Sequence, residues 1–313
     1  MTAAAAPPEA RARAEAARAA LGTLYPFAAR FHDHGGVVQH YLDEGAADAP
    51  PALLVHGNPT WSFAWRRFVP ELARTMRVVV PDHIGCGLSD KPQDYPYVLE
   101  RHVENLERLV LSLDLKDITL VLHDWGGAIG MGFARRHPER VARLVLLNTA
   151  AFLSTEIPTR ISICRVPVFG ALAVRGLNGF ARAATRMAVG RALSPDVRRG
   201  YLLPYDSYAN RVAVHRFVQD IPLTPDHPSY PELEAIDASL GRFGETPTCL
   251  LWGMRDWCFT PSFLRVWQER LPHAEVHRFD EAAHYVFEDA ADELLAPLHA
   301  FLAAHPLDSR SHA

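Results

Sequence analysis

Short apolar runs separated by longer stretches of helical period organise most of the chain. Val37 to Leu42, Ala52-Leu53-Leu54-Val55, Arg77-Val78-Val79-Val80, Ile118-Thr119-Leu120-Val121-Leu122, Leu144-Val145-Leu146-Leu147 and Thr248-Cys249-Leu250-Leu251-Trp252 read as strands, with another near 274–279. Helices are predicted from about Trp61, over Pro96 to Leu113, over 128–137, near 261–271 and from 289 to about 304. In the second of these, Val98, His102, Leu106, Leu109 and Leu113 fall near one face. Strands that are apolar throughout, rather than at alternate positions, are buried on both faces. That predicts a mostly parallel α/β sheet with helices on either side.

The alternation breaks between about 151 and 240, where prolines and arginines punctuate helix-like pieces and no strand is evident. The expected organisation is a sheet-bearing core over 26–150 and 241–306, with a helical insertion over 151–240. Residues 2–20, TAAAAPPEARARAEAARAA, contain no bulky apolar residue and are expected to form a low-complexity N-terminal extension over 1–25, with a frayed helix. They lack the apolar stretch of a signal peptide, and Glu9 and Glu15 argue against a transit peptide. No run of about 18 apolar residues occurs, so no membrane span is predicted.

Composition narrows the class further. The chain has 313 residues, 49% hydrophobic and 22% charged, which is enough apolar material for a full core and excludes wholesale disorder. A net charge of −4 argues against a dedicated nucleic-acid binder. Cys86, Cys164, Cys249 and Cys258 form no C-x-x-C pair, so neither a zinc site nor a disulfide framework is expected. A reducing, cytoplasmic setting is the expectation, and nothing in the chain calls for a metal or a cofactor.

The densest chemistry lies in Leu122-His123-Asp124-Trp125-Gly126-Gly127, where a strand ends, turns tightly and opens a helix. Such a turn throws its tip residue forward above the sheet. The tip here is Asp124. Taken alone, an Asp at this place is also a good helix N-cap. As a nucleophile it has an advantage over Ser: it is ionised at neutral pH and needs no base to attack carbon. His56-Gly57-Asn58-Pro59, after an earlier apolar strand, is placed to supply a second N–H donor beside that of Trp125. The Asn58 amide and the Trp125 indole are donors too, able to hold an anion or a leaving oxygen. Asp256, after strand 248–252, and His284, after the next strand, complete the order nucleophile, acid, histidine. Asp256 would fix the His284 tautomer, and His284 would activate water. His32, His34, His40, His227 and His273 read as structural or exposed. Asn148-Thr149-Ala150 offers no carboxylate after strand 144–147, which leaves Asp256 as the placed acid. Pro81 to Pro92 reads as scaffold around Asp82, and Cys86 lacks the basic surroundings of a thiol nucleophile.

HGNPTWSF (56–63), DHIGCGLSDKP (82–92), HDWGG (123–127), WGMRD (252–256) and the AHY to Glu288-Asp289 segment (283–289) resemble the haloalkane dehalogenase branch of the α/β-hydrolases over residues 35–305. DHIGCGLSDKP, LLNTAAF (146–152), PYDSYANRV (204–212) and RFVQDIPL (216–223) resemble more closely the β-lactone decarboxylases of bacterial long-chain olefin biosynthesis. The resemblance implies the α/β-hydrolase fold, an eight-stranded, mostly parallel sheet with a helical cap over the nucleophile. It also implies Asp124 as nucleophile, His284 as base, Asp256 as acid, and Asn58 with Trp125 as the oxyanion- or leaving-group-holding pair. The implied reaction is conversion of a cis-β-lactone to a cis-alkene and carbon dioxide. The alternative is hydrolytic dehalogenation. An epoxide hydrolase would draw on Tyr201, Tyr205 or Tyr208 as proton donor, and a ligand receptor would have no use for a complete nucleophile set.

Residues 151–220 carry ten arginines, no lysine and four acids, a net of +6 that leaves −10 on the remainder. A solvated basic face or a docking site for upstream lactone-forming enzymes would both follow. The substrate expected is a hydrophobic small molecule. Ile157, Ile161, Ile163, Val166, Val168, Phe169, Leu172, Val174, Leu177 and Phe180 are expected to divide between packing the cap and lining an alkyl channel.

Overall fold

The computed structural model describes residues 7–307. Eight strands form one sheet: β1 Arg30–Asp33, β2 Val38–Glu44, β3 Pro51–Val55, β4 Arg77–Pro81, β5 Ile118–Asp124, β6 Val141–Thr149, β7 Thr248–Gly253 and β8 Glu275–Phe279. Their order is β1-β2-β4-β3-β5-β6-β7-β8. β1 pairs antiparallel with β2 and β2 antiparallel with β4, whereas every other neighbour is parallel. The unbroken apolar runs have the predicted consequence. Leu53, Val55, Leu120 and Leu122 pack into one helical layer, and Ala52, Leu54, Val121 and Val145 into the other.

Three local expectations are corrected. β1 was not predicted, because Arg30-Phe31-His32-Asp33 is a short edge strand whose outer side meets solvent and carries no apolar run. The helix expected from Trp61 is a single 3₁₀ turn, Ser62–Trp65, followed by the short helix Phe68–Leu72. Trp61, Phe63 and Trp65 are all fully buried, and a stretch packed on every side follows the space around it rather than a helical period. The N-terminal helix Pro8–Leu21 is docked rather than frayed. Ala10, Ala14, Ala17 and Leu21 are buried, and Arg13 bonds the Leu88 carbonyl and the Asp90 carboxylate. Its alanines lack bulk, yet that is what lets the helix approach the sheet layer closely. The part of the expected extension at residues 1–6 lies outside the described residues.

Between β6 and β7 the chain is helical, as expected, with no strand among the described residues. Its main pieces are helices Thr159–Cys164, Gly179–Met187, Pro195–Leu202, Val212–Gln219 and Tyr230–Ser239. Helix Pro195–Leu202 is tied to the sheet body by a buried network. Arg66 grips both Glu288 oxygens, and the Tyr201 hydroxyl donates to the same carboxylate.

Candidate active site

All the predicted site residues lie at the carboxyl ends of parallel strands, where open α/β sheets leave room for ligands. Asp124 ends β5 and helix Trp125–Arg136 starts at the next residue. Its backbone has φ 52° and ψ −127°, a region that a non-glycine residue adopts only under constraint from its surroundings. The constraint is visible. A Cβ on Gly126 would stand 2.2 Å from the Val55 carbonyl oxygen, and one on Gly127 would stand 1.8 Å from Thr149 Oγ1. Thr149 Oγ1 in turn donates to the Asp124 carbonyl. Asp124 occupies the N-cap position but makes no capping bond, so its carboxylate is free for other work.

Asn58 sits just past β3. Its backbone N–H donates to Asp124 Oδ1 at 2.6 Å, and the neighbouring Trp125 N–H also favours the charged carboxylate. Gly57 makes the approach possible, since a Cβ there would lie 2.0 Å from Asp124 Oδ1. The Asn58 side chain departs from expectation: its Nδ2 donates to the Val214 carbonyl at 3.1 Å, and its buried Oδ1 has no partner. One of its amide hydrogens is therefore already committed to the helical segment. The Trp125 ring lines the cleft and leans on Phe217 at 5.3 Å between centroids.

His284 Nε2 stands 3.6 Å from Asp124 Oδ2, and His284 Nδ1 is 2.8 Å from Asp256 Oδ2. The structure thus brings Asp124, His284 and Asp256 together in one line. Burial pushes the Asp124 carboxyl above the ordinary range, while His284 and the N–H groups of Trp125 and Asn58 pull it back. Burial alone would lower His284, but Asp256 and Asp124 outweigh it and hold the imidazole above its usual value. Asp256 is buried and well satisfied. Oδ1 accepts the Cys258 N–H at 2.6 Å, and Oδ2 accepts Asn148 Nδ2 at 3.0 Å.

Asn148 is the residue that sequence reasoning passed over. It is the penultimate residue of β6, with φ 32°, and its amide accepts from the Gly253 N–H and donates to the Gly253 carbonyl as well as to Asp256. Asn tolerates the left-handed region, and an Asn after a strand that lacks a carboxylate was the available signal. His123 also went unread. It is buried, and its Nε2 lies 2.9 Å from the His284 carbonyl oxygen, bracing the loop from behind.

The scaffold reading of Asp82 holds. It is fully buried, accepting the Ser62 and Leu88 N–H groups, with His40 Nδ1 2.9 Å away. Burial pushes the Cys86 thiol up to about 12, which leaves it inert.

Asn58, Asp124, Trp125 and His284 form the floor of an apolar cleft with about 1110 Å³ of unfilled space, its open mouth included. Phe152, Ile157, Ile161, Phe180, Val218 and Ile221 supply much of its wall. Of the residues expected to divide between packing and channel, Ile157, Ile161 and Phe180 line the cleft. Val174 packs in a small cluster with Tyr205 and Val214. Ile163, Val166, Val168, Phe169, Leu172 and Leu177 do neither; they are exposed. The tyrosines an epoxide hydrolase would need are also elsewhere. Tyr201 is bonded to Glu288, the Tyr205 hydroxyl donates to the Thr60 carbonyl, and Tyr208 is exposed and stacked under Arg175.

The fold and this strand-to-helix turn define a class, and the chain belongs to it: residues 50–291 match the alpha/beta hydrolase fold family. Within that family the chain is 46% identical to the cis-3-alkyl-4-alkyloxetan-2-one decarboxylase of Shewanella oneidensis, over 90% of each chain. It is 43% identical to the decarboxylase of the same name from Xanthomonas campestris, over 87% of this chain and 94% of that one. Among solved structures it is similar to haloalkane dehalogenase DatA from Agrobacterium tumefaciens. The TM-score is 0.80 at 26% identity, covering 91% of this chain and 99% of that one.

Proposed function

We propose that this protein is a β-lactone decarboxylase acting on cis-3-alkyl-4-alkyl oxetan-2-ones, with Asp124 as its nucleophile. The observation that carries this is the Asp124 carboxylate on the floor of an apolar cleft, in a chain 46% identical to a decarboxylase of that substrate class. In this reading 26–150 and 241–306 form the catalytic body and 151–240 the cap.

The chemistry follows from the geometry. Asp124 Oδ1 is anchored by the Asn58 N–H, which leaves Oδ2, on the His284 side, to attack. Attack at the ring carbon bearing oxygen forms a carbon–oxygen ester bond to Asp124 and breaks the ring carbon–oxygen bond. That centre inverts, and the ring opens to a carboxylate. The bond to that carboxylate then breaks. Its electron pair becomes the alkene π bond as the ester bond returns its pair to Asp124. Anti departure after one inversion yields the cis-alkene and carbon dioxide, and no water is consumed. Asn58 and Trp125 steady the released carboxylate. His284 and Asp256 hold the charge balance around Asp124 rather than supply an obligatory base. The apolar walls take the two alkyl chains, each buried methylene contributing about 0.8 kcal/mol.

A second reading, hydrolytic dehalogenation, is favoured by the fold likeness and by the His284-to-Asp124 spacing, which leaves His284 placed to activate water. Upstream lactone-forming enzymes are proposed as partners, meeting the helical segment at Arg198 and Arg199 on helix Pro195–Leu202.

Offering the protein a cis-dialkyl β-lactone and, separately, a 1-haloalkane tests the reading. The expected result is alkene and carbon dioxide from the first, with little halide from the second, and loss of alkene formation in Asp124→Ala. Halide and alcohol release with an inert lactone would replace it by the second reading. Undiminished turnover in Asp124→Ala would overturn both.

A further inference from the structure

We propose that the apolar tip of the helical segment, at Val168 and Phe169, docks this protein peripherally on an anionic lipid bilayer. Nine large apolar side chains are exposed among the described residues, and seven of them fall within 163–187. Val168 is 84% exposed and Leu177 66%. A monomeric surface scatters such residues singly; a cluster of this kind marks an interaction face.

The charges around the tip say what kind of surface it meets. From Ile157 to Leu193 the chain has six arginines and no Lys, Asp or Glu. Arg160, Arg182, Arg186 and Arg191 are exposed, and none has a carboxylate partner among the described residues; Arg160 instead faces the Trp257 ring. Elsewhere on the surface acids are interspersed with the arginines and several pair with them, as Asp292 does with Arg67, Asp114 with Arg140 and Asp237 with Arg270. Exposed bulky apolar groups in a stretch whose charges are all positive match a headgroup layer. The anionic phosphates meet the arginines, and the acyl boundary lies just beneath for the tip.

The tip is also built rather than loose. Val168 has φ 65° and ψ −55°, a conformation that a β-branched residue adopts only where its surroundings impose it. Gly170 closes the turn against helix Thr159–Cys164, where a Cβ would lie 2.1 Å from the Cys164 carbonyl oxygen. The side chain so presented is almost wholly exposed. No helix among the described residues is long and apolar enough to cross a membrane, so the contact is interfacial.

The same elements face both ways. Ile161 and Phe180 line the cleft from within, while Ile163, Val168 and Phe169 face outward. The docked face is thus the outer wall of the cleft, and an alkyl substrate dissolved in the bilayer would enter with little exposure to water. That consequence rests on the proposed function; the docking does not.

Flotation of the full chain with vesicles, no substrate present, tests the docking. Vesicles of phosphatidylglycerol and phosphatidylethanolamine should carry the protein up, and pure phosphatidylcholine vesicles about tenfold less, with binding falling as salt is raised. Val168→Asp with Phe169→Asp, and separately Arg182→Gln with Arg186→Gln, should each weaken binding about fivefold or more at unchanged melting temperature. Equal recovery on both vesicle types would overturn the proposal. So would undiminished binding of both double variants, or a concentration-dependent dimer that Val168→Asp dissolves and that alone accounts for the exposed tip. An inert lactone with intact flotation would count against the proposed function and leave the docking standing.

Discussion

Asp124 is held where burial works against its charge and its neighbours work for it. The Asn58 and Trp125 N–H groups and the His284 imidazole all favour the ionised form that an attack on carbon requires. Asp256 and Asp124 hold His284 above its ordinary value, and the charge it carries when protonated favours ionised Asp124. Removing that charge has a definite sign. In His284→Ala the Asp124 carboxyl loses a stabilising cation and its pKa rises further. The acid limb of kcat/KM for the lactone, which tracks ionised Asp124, should therefore move to higher pH, while measurable alkene formation persists at neutral pH. A limb that stays in place or moves to lower pH would show that Asp124 ionisation does not set it. The same variant should lose any water-dependent turnover outright, since no other base is within reach of Asp124 Oδ2 among the described residues.

At the scale of elements, two features position this chemistry. One is the β5-to-helix turn, where Gly57, Gly126 and Gly127 let three strands' ends converge on one carboxylate. The other is the docked helix Pro8–Leu21, which seals the sheet layer beneath Trp61 and Phe63. Leu21 is its main apolar anchor, buried alongside Tyr25 and Phe27. Leu21→Ala should cost about 2–5 kcal/mol by the usual core penalty. That is readable as a lowered melting temperature; an unchanged melt would return the helix to the status of an appendage. The contrast between these two features explains what the sequence disclosed. Asp124, Asn58 and Asp256 are legible because each follows an apolar strand buried on both faces, at a turn of fixed chemistry, whereas His284, after the largely polar β8, is legible from its place in the order nucleophile, acid, histidine. The N-terminal helix was not legible because alanine gives no periodic signal: its burial depends on the surface it meets, not on its own bulk. Asn148 was hidden for a different reason. Its role lies in one amide bridging Gly253 and Asp256 across β6 and β7, a contact with no local signature.

Across the whole molecule, a modest net charge of −4 conceals a division between a basic helical segment and an acidic body. The apolar residues of that segment divide as well. Ile157, Ile161 and Phe180 turn inward to the cleft, and a second set turns outward. One stretch of chain thus shapes the cavity and offers the surface that faces the source of a lipophilic substrate. Whether Asp124 is regenerated by elimination or by water is decided by the fate of its oxygens. Many turnovers of a cis-dialkyl β-lactone would be run in isotopically labelled water and the peptide bearing Asp124 weighed by mass spectrometry. One alkene should form per lactone consumed, with no heavy oxygen in Asp124, because the carboxylate is regenerated by elimination. Heavy oxygen accumulating in Asp124, with a hydroxy acid in place of alkene, would contradict it.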